Sequence, residues 1–211
     1  MICLPQAMTD NFSLLNVARR PWIDPDALKE KFLALSAQFH PDRVHQSPEA
    51  ERRAASGRFA EINAAYNCLR EPKERLRHLL ELELGAKPAD IQRVPAEMME
   101  SLFEVGQLCR QVDAFLLENA KITSPLLKVK QFERGQEWTE QLYALRQKIN
   151  SRRAELMLEL PAMNAAWEPA DGAIAPRAKP LDRLDEIYRL LGYLTRWSEQ
   201  IQERVAQLSF A

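Results

Sequence analysis

The residues best placed to do chemistry are His40 and Asp42, an imidazole and a carboxylate separated only by Pro41. They could be drawn as a base and its orienting acid, but no serine or cysteine nucleophile has a reason to converge on them. The tripeptide therefore points to a recognition tip rather than a catalytic centre. Cys3, Cys68 and Cys109 form no CxxC spacing and lie beside no histidine pair, so neither a disulfide framework nor a zinc site is expected. Cys68 and Cys109 fall on or beside apolar stripes and are expected in the core, while His45 and His78 are expected to face solvent. The chain lacks a Gly-rich phosphate loop, so no ATP hydrolysis of its own is expected. The reading is of a non-enzyme with no catalytic residue, cofactor or metal.

Two patterned helices must position the tripeptide. Leu28, Phe32, Leu35 and Phe39 recur at spacings of four and three, along a helix opening at Asp24 as N-cap with Pro25 in its first turn. Ala55, Phe59, Ile62, Tyr66 and Leu69 mark a second helix, opening at Ser47-Pro48-Glu49 with the Ser47 hydroxyl as cap. Pro41 must end the first helix, because its ring disfavours helical geometry at His40 and removes a donor. The result is an antiparallel hairpin that displays imidazole and carboxylate at its closed end.

Phe39-His40-Pro41-Asp42-Arg43, the short amphipathic segment 11–17 before it and the run 59–69 after it together resemble the J-domain. That module is the co-chaperone part that stimulates ATP hydrolysis by DnaK-type chaperones. The resemblance covers residues 10–84 and implies that His40, Pro41 and Asp42 contact the ATPase partner, Asp42 through a partner arginine. Lys29, Lys31 and Arg43 would steer the partner's acidic surface.

The rest of the chain also reads as helix. Its 13 prolines cluster between patterned runs rather than inside them, so the expected fold is all-α. A short helix at 72–80 should end near Gly85, and Lys87-Pro88 and Val94-Pro95 mark the hinge to a second domain, 92–208. There, Met98, Leu102, Val105, Cys109, Val112 and Leu116 form one seam. Trp138, Leu142, Leu145, Ile149, Leu156 and Leu160 form a second, on a helix opening at Ser124-Pro125. Leu184, Ile187, Leu191, Leu194, Ile201, Val205 and Leu208 form a third. Three such helices close into an elongated bundle. Four prolines in 161–180 exclude a continuous helix there, and this loop is expected to wrap the bundle through Trp167 and Ile174.

A net charge of −1, from 29 basic and 30 acidic residues, leaves no global footprint for nucleic acid or an anionic membrane. No run approaches the twenty or so apolar residues of a membrane span. The start of the chain has neither a signal-peptide core nor a transit-peptide bias, so a cytoplasmic setting is expected.

A J-domain followed by a three-helix bundle resembles the HscB-type co-chaperones of iron–sulfur cluster assembly. Arg189-Leu190-Leu191, Leu194 and Glu199-Gln200-Ile201 fit that family's final helix. The resemblance implies a DnaK/HscA-type ATPase as one partner and an IscU-type cluster scaffold as client. The client would dock on Met98, Met99, Leu102 and Phe103, with Leu190 in place of an aromatic from the last helix. The pattern's flanking acids are absent, since Phe103, Gly106 and Arg110 stand where glutamates are expected. The alternatives are a general J-domain co-chaperone with another client, or a non-catalytic interaction scaffold.

Overall fold

Asp24 closes the start of its helix as the sequence implies. The computed structural model describes residues 9–44, 46–88, 94–168 and 179–210, and among them every regular element is helical. The first, α1 (Asn11–Leu14), is capped by Asp10, whose carboxylate accepts the Phe12 N–H at 3.0 Å. In α2 (Pro25–Gln38) the Asp24 carboxylate accepts the Ala27 N–H at 2.8 Å, and Pro25 fills a first-turn position that needs no donor. Phe39 still donates to the Leu35 carbonyl at 3.0 Å; Pro41 then ends the helix, and Pro41–Val44 turn as a 3-10 segment.

α3 (Glu49–Arg70) opens differently from expectation. Pro48 holds the cap position at φ −53°, ψ 152°, no side chain caps the helix, and the backbone N–H of Ser47 instead donates to the Val44 carbonyl. The ring of Pro48 sets the extended entry geometry, so the Ser47 hydroxyl is not used. α4 (Pro72–Leu84) ends at Gly85, whose φ of 70° is left-handed and suits glycine.

Helices α1 to α4 pack around α3. Leu28, Ile62, Ala65, Leu69, Leu76, Leu79 and Leu80 are buried, Phe12 and Leu15 join them, and the Phe32 ring stacks on Tyr66 at 4.1 Å. Each of the leucine and isoleucine side chains contributes about 1.5–3 kcal/mol by leaving water. Two polar groups share this core. Arg75 is buried and donates to the carbonyls of Pro21 at 2.8 Å and Leu69 at 2.7 Å, while burial pushes its guanidinium down to about 10. His78, expected in solvent, is also buried: its ring stacks on Phe12 at 5.7 Å and its Nε2 accepts the Asn11 N–H at 3.0 Å. The amide at the start of α1 needs an acceptor, and that need carries His78 inward. His45 and Cys3 lie outside the described residues.

The chain divides into two compact units. The first, Met1–Ala89, also includes Glu159–Tyr188. Within it Asn164, itself buried, holds the backbone of Trp22 by a reciprocal pair: Trp22 N–H donates to Oδ1 at 2.9 Å, and Nδ2 donates to the Trp22 carbonyl at 3.0 Å. Trp167 does not wrap the bundle as expected. Its indole N–H donates to Glu83 of α4 at 3.2 Å, and Lys179 pairs with the same carboxylate at 2.6 Å while lying 5.7 Å from the Trp167 ring centre. A single acid satisfies both the indole and the ammonium. Ile174 lies outside the described residues.

The second unit is Asp90–Leu158 with Arg189–Ala211. It takes α5 (Met99–Asn119), preceded by a 3-10 turn Ala96–Met98, and the parts of α6 (Pro125–Met163) and α7 (Leu181–Ser209) inside those limits. Val105, Cys109 and Val112 from α5, Leu142, Ile149 and Leu156 from α6, and Leu191, Leu194, Ile201 and Val205 from α7 are all buried. Cys68, by contrast, is half-buried. Polar pairs tie the helices at the rim: Lys148 to Glu104 at 2.7 Å, Arg152 to Glu97 at 3.3 Å, and Arg204 to Asp113 at 2.8 Å.

α6 continues through Pro161 and stops at Met163, before a 3-10 turn Asn164–Ala166. Pro161 forfeits only the bond to the carbonyl of residue 157, in the helix's last turn, so the break comes after it rather than at it.

Candidate functional site

The tripeptide sits where the hairpin turns. The His40 carbonyl accepts the Arg43 N–H at 3.0 Å, and the Asp42 N–H donates to His40 Nδ1 at 3.3 Å. Accepting at Nδ1 leaves the ring proton on Nε2, so the 3.5 Å approach of Asp42 Oδ2 to Nδ1 becomes an ion pair only on protonation. The imidazole meets Phe59 of α3 edge-on at 5.3 Å, which props it from behind. Its side chain is half exposed and that of Asp42 is 90% exposed. The site thus offers a carboxylate on a turn fixed by its own neighbour.

The predicted basic residues are not equally available. Lys29 is exposed on α2, whereas Lys31 donates its ammonium to the Asn16 carbonyl and Arg43 donates to the Ala37 carbonyl at 3.3 Å. The sequence reading missed Arg52 and Arg53. They line a surface hollow of about 550 Å³ with Pro41, Asp42, Glu49 and Ser56, and Arg53 pairs with Glu49. Adjacent arginines in the first turns of the helix after the tripeptide were the available signal. Arg58 lies 5.8 Å from the Phe39 ring centre and extends this basic rim.

In the second unit the five residues of the predicted client surface separate. Phe103 is 66% exposed and Met99 38%, and Leu102 is half-buried. Met98 and Leu190 are 2% and 0% exposed, which corrects their assignment to an open surface. Met98 continues the seam through Leu102, Val105 and Cys109, and Leu190 lies three after Ile187 and four before Leu194, so both turn inward. Gly106 stands between Phe103 and Arg110 on the outer face. A Cβ there would meet Arg110 Nη1 at 3.4 Å, so the guanidinium lies back over the glycine.

Residues 10–78 match the family model of the DnaJ domain. The matched stretch takes in α1 to α3 and the tripeptide turn, together with α4 as far as His78. Beyond the domain model, the chain is 44% identical to the co-chaperone protein HscB homologue of Bordetella petrii and 41% to that of Bordetella pertussis, each over 102 residues. Those stretches are 48% of this chain and 58% of each relative, so the chain spans somewhat over half the length of the curated relatives it matches. Its fold is that of the chaperone HscB from Vibrio cholerae, with a TM-score of 0.64 at 20% identity over 95% of this chain and 99% of the other. Human co-chaperone HscB gives 0.58 at 20% identity over 94% and 83%. The all-α fold is therefore an N-terminal DnaJ domain and a C-terminal helical domain.

Proposed function

We propose that the protein is a co-chaperone that stimulates the ATPase of a DnaK/HscA-type chaperone and brings it a client, an iron–sulfur cluster scaffold of the IscU type. The observation that carries this reading is the exposed Asp42 carboxylate on the turn of a DnaJ domain, with Arg52, Arg53 and Arg58 rimming the same end of the hairpin. A fixed anion beside cations suits a partner surface with the opposite arrangement and steers its approach. The reaction belongs to the partner, and this chain acts by binding; an ATP-consuming partner fits a cytoplasmic setting. Met99 and Phe103, with the half-buried Leu102, are the client-facing residues in this reading, and a different client of a general J-domain co-chaperone remains the second reading.

The test is Asp42→Asn in single-turnover hydrolysis by the partner ATPase. Stimulation should be lost, while melting shifts by no more than about 2 °C, because surface substitutions away from packing usually stay within about 0.5 kcal/mol. Stimulation at the level of the unmodified protein would refute the role given to Asp42.

A further inference from the structure

One atom of the tripeptide, His40 Nδ1, faces two neighbours of opposite character. It accepts the Asp42 N–H at 3.3 Å and stands 3.5 Å from Asp42 Oδ2. Pro41 restrains the chain between the two residues, and Phe59 of α3, edge-on at 5.3 Å, backs the ring. A lone pair on Nδ1 suits the amide, and a proton there suits the carboxylate; the nitrogen cannot serve both at once. Neutral, it holds the Asp42 amide and takes nothing from the carboxylate. Protonated, it loses the amide and its new N–H donates to Oδ2.

The other charged groups at this end of the hairpin have their own places. Arg43 donates to the Ala37 carbonyl, Arg53 pairs with Glu49, Arg58 pairs with Glu61 while lying 5.8 Å from the Phe39 ring centre, and Arg52 lines the hollow beside Asp42. Among the described residues Asp42 is the carboxylate that pairs with His40. We propose that the turn is proton-gated: a proton taken from water onto Nδ1 draws the Asp42 carboxylate toward the ring and weakens docking of the ATPase partner, so the co-chaperone docks best above the ordinary imidazole range and less well below it. This rests on the function proposed above, in which Asp42 receives a partner arginine. A guanidinium fork takes both oxygens of a carboxylate, whereas a protonated imidazole keeps one of them for itself. By linkage, docking in turn drives the proton off the ring. An exposed pair of this kind is weak, so the gate shows as about a twofold to fivefold loss of affinity rather than as a change in melting.

The first measurement needs no partner. In the full chain labelled with ¹⁵N and ¹³C, the ring nitrogens of His40 should report the Nε2–H tautomer at about pH 8. Lowering the pH to about 5.5 crosses the ordinary imidazole range, and the Asp42 amide and carboxyl signals should move with the ring at one shared midpoint. A ring protonated on Nδ1 at the higher pH, or an Asp42 carboxyl that ignores the ring, would overturn the proposal. The second measurement is single-turnover hydrolysis by a DnaK-type ATPase over the same range, each rate taken relative to the unstimulated ATPase at that pH. The co-chaperone concentration giving half-maximal stimulation should rise about twofold to fivefold on acidification, at the ring's own midpoint, while maximal stimulation is kept. A constant half-maximal concentration, or a rise at a different midpoint, sinks the gate and leaves the role of Asp42 standing. No stimulation at any pH would instead remove the function on which the gate rests.

Discussion

The Asn11 N–H that donates to His78 Nε2 requires a neutral imidazole, since a protonated ring has no lone pair to accept it. Burial agrees, lowering the His78 pKa, with Arg77 and Arg19 acting the same way and the carboxylates of Asp10 and Glu81 opposing. A folded value below the ordinary 6.5 means that the unfolded chain binds its proton first. Stability is then full above about pH 6.5 and falls as pH drops below it, by at most about 1.4 kcal/mol per unit for one proton. Denaturant melts from pH 7.5 to 5 should show this slope, and His78→Gln should flatten it. Asp10 adds a lower window: partial burial raises its carboxyl, but bonds from Ser13 and Arg19 outweigh that and hold it below the ordinary value. Its contribution is lost as pH falls through that depressed value. None of this was legible at His78, because the partner that draws it inward lies 67 residues earlier in the chain. Phe103 was legible: its neighbour Leu102 claims the seam, and one residue on a helix turns the side chain by about 100°. Alanine at Met99 and Phe103 together should weaken scaffold binding by about 1–4 kcal/mol in calorimetric titration, since few anchors carry an interface. J-stimulated hydrolysis without client should not change.

Among the elements, the hairpin followed most directly from local rules. Asp24, Pro25 and Pro41 mark start and stop by their own chemistry, and the stripe from Leu28 to Phe39 sets the face. Asp24→Ala removes the acceptor for the Ala27 N–H and should destabilise the first unit by about 1 kcal/mol, read as a lower urea midpoint with unchanged slope. Where two local signals compete, sequence alone does not rank them. At Ser47-Pro48 a hydroxyl and a proline both suit a helix start, and the structure uses the proline. At Pro161 the rule that proline breaks helices holds for interiors, and the residue sits in a last turn. The basic rim of Arg52 and Arg53 was not legible from the first helix of the hairpin, because the hollow beside Asp42 is walled by the second.

At the scale of the whole molecule, two units carry two separate tasks in the proposed function, so the Asp42→Asn and Met99/Phe103 variants should each fail only their own assay. The apolar seams marked the long helices, but not their division: Leu160, Leu184 and Ile187, read into the bundle seams, fall in the first unit. The membership of Glu159–Tyr188 in the first unit did not announce itself, because contacts such as that of Asn164 with Trp22 join residues far apart in the chain. That pair spans 142 residues of chain, which gives it a meaning in time. A ribosome adding about 5–20 residues per second needs roughly 7–28 s to make that length. During this interval α1 to α4 can form their mutual contacts, yet the Trp22 amide has no Asn164 to meet. Nascent chains stalled before residue 164 should therefore exchange the Trp22 amide hydrogen rapidly while Leu69 and Leu76 remain protected, and chains released at full length should protect all three. The first unit begins to fold early and is finished late, so its completion reports that most of the chain has been made.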